Sequence, residues 1–266
     1  MLRILIYIGL LIVFALGYTK YLESRCIYFP MKGIEITPSH AGLLFEDLYL
    51  ETKDGLKING WFIPQDQAKY TLLFCHGNGG NIEHRIEKLL KLRKYGLNIF
   101  IFDYRGYGRS QGKPSETGLY HDTQAAYDYL VTNRQIKPEQ IILYGESLGC
   151  AAAVHLASQQ KTGGLILEGS FSRGRDMAKK IYPFLPAFLF SNSFNSQRRI
   201  GKITAPKLFL HSKHDEIVPF VLAKQLYDVA PEPKEFVELI GGHNTTYFDD
   251  QEKYLSGIAS FVERLP

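Results

Sequence analysis

From residue 45 to residue 239 short apolar runs that read as strands alternate with segments whose apolar residues recur at helical spacing. The strand-like runs fall at 45–50, 58–63, 71–75, 98–102, 140–144, 164–167, 207–210 and 235–239. The first two pair around Lys53-Asp54-Gly55, and the central ones are apolar at nearly every position. A strand that is apolar on both sides has no solvent face. Strands of that kind, separated by helices, predict an α/β fold: a mostly parallel central sheet of about eight strands with helices on both faces. Helical spacing recurs over 82–95, with Gly96 as the stop, over 119–130, over the small-residue stretch 148–157, and over 255–265. Only 170–204 departs from the alternation. It holds IYPFLPAFLF (181–190) and the polar run SNSFNSQRR, and reads as a lid-like insertion (170–205) over the edge of the sheet.

Composition narrows the function classes. At 266 residues, 45% hydrophobic and 22% charged, the chain is neither disordered nor low-complexity. A net charge of +4 without a basic run argues against nucleic acid as a partner. The cysteines at 26, 75 and 150 form neither a disulfide framework nor a metal spacing. Residues 4–19 carry no charge and lie between Arg3 and Lys20; as a helix they rise roughly 24 Å. The preferred expectation is an uncleaved N-terminal anchor or signal segment over 1–20, followed by one α/β domain over 27–266. A cleaved signal peptide, with Ala15-Leu16-Gly17 as the site, and a buried core helix are the alternatives. An anchored chain implies a membrane location, single-pass, with the domain outside the cytoplasm.

Gly145-Glu-Ser-Leu-Gly149 matches G-x-S-x-G, with an apolar strand running in and a small-residue helix running out. That context predicts a sharp turn that lifts the Ser147 hydroxyl clear of the sheet at a helix N-terminus. A serine hydroxyl needs a base, and the base an orienting acid. Partners from later strand ends, in the order serine, acid, histidine, point to Asp215 and to His243, the one histidine of eight that follows the candidate acid. Glu216 and Glu168 are alternative acids, and a capping role is the alternative for Asp215. His121 and His155 read as helix residues. Two backbone donors complete the set: the Leu148 amide, and the Asn78 amide in the glycine-rich loop 76–81. Arg105, in the loop 103–110, reads as tied to local carboxylates or carbonyls, with a substrate contact of the loop as the alternative. Neither a metal nor an organic cofactor is required.

Taken together, IYFP (27–30), DGLKINGWFIP (54–64), HGNGGN (76–81), FDYRGYGRSQGKPSE (102–116), GESLG (145–149), HDEIVP (214–219) and GGHN (241–244) resemble the α/β-hydrolases of the serine aminopeptidase-like group. Within that group the chain is similar to the membrane-anchored α/β-hydrolase-domain-containing proteins. The motifs occur in family order over residues 27–266. The resemblance implies Ser147 as nucleophile, Asp215 as acid and His243 as base. Two departures stand out: Ser212 follows His211 where the family usually has glycine, and the N-terminal cysteine cluster of the palmitoylated members is missing.

The expected function is hydrolysis of carboxylic esters or thioesters of small-molecule or lipid-like substrates through an acyl-enzyme. Phe184, Leu185 and Phe188 would line an apolar substrate wall, with plain packing of the insertion as the alternative. An aminopeptidase-like amide hydrolase and a non-catalytic tethered interaction module are the other readings.

Overall fold

The computed structural model describes residues 2–184 and 193–266. In chain order its elements begin with α1 (Leu2–Ile27), β1 (Phe29–Pro30), β2 (Glu46–Glu51), β3 (Lys57–Ile63), β4 (Thr71–Cys75), β5 (Gly79–Gly80), α2 (Ile86–Arg93) and β6 (Asn98–Phe102). Then follow α3 (Glu116–Asp128), β7 (Ile141–Glu146), α4 (Leu148–Ala157), β8 (Gly164–Glu168), α5 (Gly174–Ile181), α6 (Ser196–Ile200) and β9 (Lys207–Ser212). The chain closes with α7 (Phe220–Val229), β10 (Lys234–Leu239), α8 (Thr246–Asp249) and α9 (Gln251–Glu263).

Eight strands form one sheet in the order β10-β9-β8-β7-β4-β6-β3-β2. All neighbours are parallel except β3, which runs antiparallel to both β2 and β6. The apolar strands explain this architecture directly, because alternate residues feed two separate cores. Leu73 and Cys75 of β4, Phe100 and Phe102 of β6, and Leu143 of β7 join the core that receives α3, α4 and α7. Their neighbours Leu72, Phe74, Ile99, Ile101, Ile142 and Tyr144 point the other way, into the core closed by α2 and α9. Fully burying each such aliphatic or aromatic side chain contributes roughly 1.5–3 kcal/mol, and because both faces are buried a one-residue slip would cost packing fit and not burial. The α/β expectation and the sheet of eight strands therefore hold.

The N-terminal expectation needs correcting. Leu2–Ile27 form a single helix of 26 residues, but among the described residues no helix is long and apolar enough to cross a membrane. The physical reason lies in its length and charge. The uncharged stretch falls short of a hydrocarbon core of roughly 30 Å, and the remainder of the helix carries Lys20, Glu23 and Arg25. The single-pass anchor, membrane location and membrane partnership expected from the sequence are set aside on this finding.

Of the stretch 170–205, helices α5 and α6 are described, and 185–192 lie outside the described residues. A turn of π-helix at Tyr129–Asn133 extends α3 past the end of the helix expected over 119–130.

Candidate active site

The strand ends bring three distant residues together. Ser147 sits between β7 and α4 with φ 52° and ψ −114°, a left-handed conformation that an L-residue holds only when its surroundings enforce it. Here they do: the Ser147 N–H donates to the Glu168 carbonyl at 2.8 Å. A Cβ at Gly145 would stand 2.5 Å from the Cys150 Cα, and one at Gly149 would run into the Cys75 and His76 carbonyls. The two glycines of the motif are thus required by close backbone approach.

The Ser147 hydroxyl lies 2.9 Å from His243 Nε2, and His243 Nδ1 lies 2.7 Å from Asp215 Oδ2. A carboxylate only accepts, so Nδ1 carries the imidazole proton and Nε2 is left to accept from the serine. Burial opposes a charge on His243, but the bond to Asp215 and that carboxylate's charge outweigh it and raise the pKa above the ordinary histidine value. Burial likewise opposes ionisation of Asp215, yet the His243 bond holds its carboxyl below the usual range. Asp215 Oδ1 also accepts the N–H groups of Ile217 and Val218, at 3.0 and 2.6 Å. The same carboxyl therefore closes the turn after β9 and orients the imidazole, but it does not cap α7, whose N-cap is Pro219.

Gly169 is the residue that sequence reasoning passed over. Its φ is +63°, and a Cβ there would stand 2.9 Å from His243 Cε1. Any side chain would push the imidazole off the serine. The other candidate acids do not reach the ring. Glu216 accepts the His243 backbone N–H at 2.9 Å. Glu168 is buried and receives Lys88 Nζ at 2.8 Å, the Thr246 hydroxyl at 3.1 Å, the Tyr254 hydroxyl at 3.2 Å, and the Tyr144 hydroxyl.

Lys88 belongs to a buried ionic cluster beneath the serine turn. Its ammonium also meets Glu146 at 2.9 Å, and Arg85 meets the other Glu146 oxygen at 2.9 Å. Burial alone would raise the Glu146 carboxyl, but Arg85 and Lys88 hold it well below the usual carboxylate range. Burial would lower the Lys88 pKa, and Glu146 and Glu168 raise it instead. One hint of this cluster is legible in the sequence: a glutamate beside the serine, in a motif whose turn is otherwise packed against backbone.

The Leu148 amide heads α4, among the N–H groups that have no acceptor within the helix. Asn78 is half-buried in the loop after β4; its carbonyl accepts the Phe29 N–H at 3.0 Å and the Tyr107 hydroxyl at 2.8 Å. Phe184 is 78% exposed and stacks edge-on to Tyr182 at 6.3 Å. Leu185 and Phe188 lie outside the described residues. Arg105 forks between Asp54, at 2.7 and 3.0 Å, and Asp122, at 2.8 Å, which is the carboxylate tie expected of it. His155, on α4, lies flat against Tyr120 at 3.7 Å, and His121, on α3, approaches Asp54 at 3.5 Å.

Residues 66–196 match the family model described as serine aminopeptidase, S33. The protein Rv2307c of Mycobacterium tuberculosis is 36% identical over 244 residues, covering 90% of this chain and 87% of its own length. The α/β-hydrolase domain-containing protein WAV2 of Arabidopsis thaliana is 33% identical over 285 residues, covering 96% of this chain and 92% of its own. Among solved structures, the esterase Pf2001 of Pyrococcus furiosus superposes with a TM-score of 0.72 at 22% identity, covering 90% of this chain and 98% of that one, a likeness of fold. With its sheet order, its serine turn and these relatives aligned nearly end to end, the chain belongs to the α/β-hydrolase family.

Proposed function

We propose that the protein is a serine hydrolase that cleaves small-molecule carboxylic esters or thioesters through an acyl-enzyme. The observation that carries this reading is the unbroken hydrogen-bonded line Ser147 Oγ, His243, Asp215 at 2.9 and 2.7 Å. In the first half-reaction Ser147 Oγ attacks the acyl carbon while its proton passes to His243 Nε2. The oxyanion that forms is received by the Asn78 and Leu148 amides, the latter favoured by the N-terminus of α4. His243 then protonates the departing alcohol oxygen or thiol sulfur as the carbon–heteroatom bond breaks. In the second half-reaction water gives its proton to His243, attacks the acyl carbon, and Ser147 leaves with the proton returned to it. Asp215 keeps the imidazole in the working tautomer and stabilises its cationic form.

Esters are favoured over peptides by the carboxylates. A peptidase that takes free N-termini needs acids that are not already engaged. Asp176, the one acid in 170–205, is bonded to Arg173 and Ser172, and Glu216 holds the His243 backbone. The esterase fold neighbour points the same way. Segment 170–205 is the proposed cover of the site, with Phe184 among its apolar contacts to substrate.

The test is fluorophosphonate labelling and hydrolysis of p-nitrophenyl acyl esters and acyl thioesters of graded length, with wild type and Ser147→Ala. Labelling and turnover in wild type, both lost in the variant, are expected. Labelling that persists in Ser147→Ala removes the nucleophile assignment. Labelling without turnover of any ester or thioester removes the substrate class.

A further inference from the structure

The loop 76–81 has three glycines in six residues, so its backbone has more freedom to lose on folding than almost any other segment of this length. An oxyanion donor is useful only if it is already aimed when charge develops. The loop is fastened from outside, by residues 27–36. The Asn78 side-chain amide donates to the Ile27 carbonyl at 3.0 Å, and the Phe29 N–H donates back to the Asn78 carbonyl at 3.0 Å. β1 and β5 then pair in parallel, with the Met31 N–H on the Gly80 carbonyl at 3.0 Å. Next, Asn81 Nδ2 donates to the Gly33 carbonyl at 2.7 Å. Finally the Glu83 carboxylate accepts the N–H groups of Glu35 and Ile36 at 2.6 and 3.0 Å. Five consecutive fastenings run along 78–83, from Asn78 to the helical turn that follows the loop.

We propose that residues 27–36 are a strap whose function is to hold the Asn78 amide in its donor position, with the Asn78 side chain as the latch to the strap and Glu83 as its far anchor. The inference rests on the reading of the Asn78 amide as an oxyanion donor. It assigns a role to the IYFP motif that the catalytic residues leave unexplained. It also makes Asn78 a residue with two separable parts: the backbone N–H faces the reaction and the side chain faces the strap. Asn78 and Glu83 side chains are positioning groups, since they act through the loop backbone. The strap reaches the proposed cover as well, because the Tyr28 ring packs edge-on to Phe194 at 6.4 Å.

Two variants of the full-length chain test this. Asn78→Ala keeps the backbone amide and removes the latch. Glu83→Ala lies outside the reacting groups and releases the far end. Each is expected to lower kcat on a p-nitrophenyl ester about tenfold for Asn78→Ala and about threefold for Glu83→Ala, the worth of one or two hydrogen bonds. KM stays within about twofold, because ground-state binding does not use the developing oxyanion. Hydrogen exchange at the amides of 77–81 quickens in both, while the melting temperature holds. The double variant loses no more than about a hundredfold, the scale of one oxyanion donor. Wild-type kcat in both variants overturns the proposal, as does a loss of kcat that follows a lowered melting temperature without faster exchange in 77–81. If Asn78→Ala does not fold, Glu83→Ala decides alone. Ser147→Ala run alongside separates the two readings. Hydrolysis that survives it sinks the serine mechanism, whereas hydrolysis lost there but untouched by Asn78→Ala and Glu83→Ala sinks only the strap.

Discussion

Asp215 and Glu168 are carboxylates at the carboxyl ends of neighbouring strands, β9 and β8, and both touch the segment that carries His243. Their partners separate them. Asp215 takes the imidazole Nδ1–H and two backbone N–H groups. Glu168 takes an ammonium and three hydroxyls, three of the four on Oε2 and one on Oε1. Yet Glu168 grips both halves of the site, through its own carbonyl on the Ser147 N–H and through Thr246, three residues past His243. Strand-end position nominates an acid; what already occupies its oxygens decides what the acid can do.

The comparison is broken most directly by removing the groups Asp215 serves. Ser147→Ala is expected to lower kcat on esters by roughly 10⁶-fold, and Asp215→Asn by roughly 10⁴-fold, since the amide leaves the geometry but favours the wrong tautomer. Steady-state kinetics with a p-nitrophenyl ester measure both. An Asp215→Asn enzyme within tenfold of wild type would transfer the orienting role elsewhere.

Glu168→Gln is expected to act chiefly on stability. It strips Lys88 of one of its two carboxylates and leaves a buried network partly unpaired, which costs about 3 kcal/mol. Denaturant unfolding measures that loss, and kcat should fall less than tenfold. A variant that keeps its stability and loses a thousandfold in kcat would reverse the roles given to the two carboxylates.

How far this was legible in the sequence depends on the range of the forces involved. Strands 71–75 and 98–102 and helix 148–157 have the bounds expected, because a doubly buried strand and a small-residue helix are written in consecutive residues. Ser147, Asp215 and His243 were nominated by their positions at strand ends, which topology then brings within 2.9 Å. Beyond the glutamate of the serine motif, neither the partners of the ionic cluster nor the strap is legible. Lys88 lies 58 residues from Glu146 and 80 from Glu168, and Ile27 lies 51 from Asn78, so no local pattern links them. The N-terminal run shows the opposite error: an apolar composition was read for more than its length supports.

The pH profile sharpens the contrast further. Asp215 raises the His243 pKa above the ordinary value of about 6.5, and in the proposed mechanism His243 works only when neutral. The value of kcat/KM should therefore rise with pH and reach half its plateau above pH 6.5. Taking away the carboxylate charge removes the stabilisation of the imidazolium, so in Asp215→Asn the half-maximum moves to lower pH as the plateau drops. In Glu168→Gln the midpoint should move in the same direction but much less, because Glu168 acts on the ring only through space. Equal shifts in the two variants would mean that charge near the ring, and not the bond to Nδ1, sets its pKa.

The smallest effect belongs to a third carboxylate, Glu216. It is exposed, it stands next to Asp215 in sequence, and it accepts the His243 backbone N–H at 2.9 Å. Holding the backbone leaves the ring free to be turned by Asp215, so Glu216 sets where His243 is and Asp215 sets how it points. A solvent-exposed bond of this kind is worth about 1 kcal/mol or less. Glu216→Ala should lower kcat about threefold without moving the pH midpoint, and Glu216→Gln, which keeps an acceptor, should restore most of it. A shifted midpoint in Glu216→Ala would show that the exposed carboxylate reaches the imidazole after all, and that the division of labour among the three acids is drawn in the wrong place.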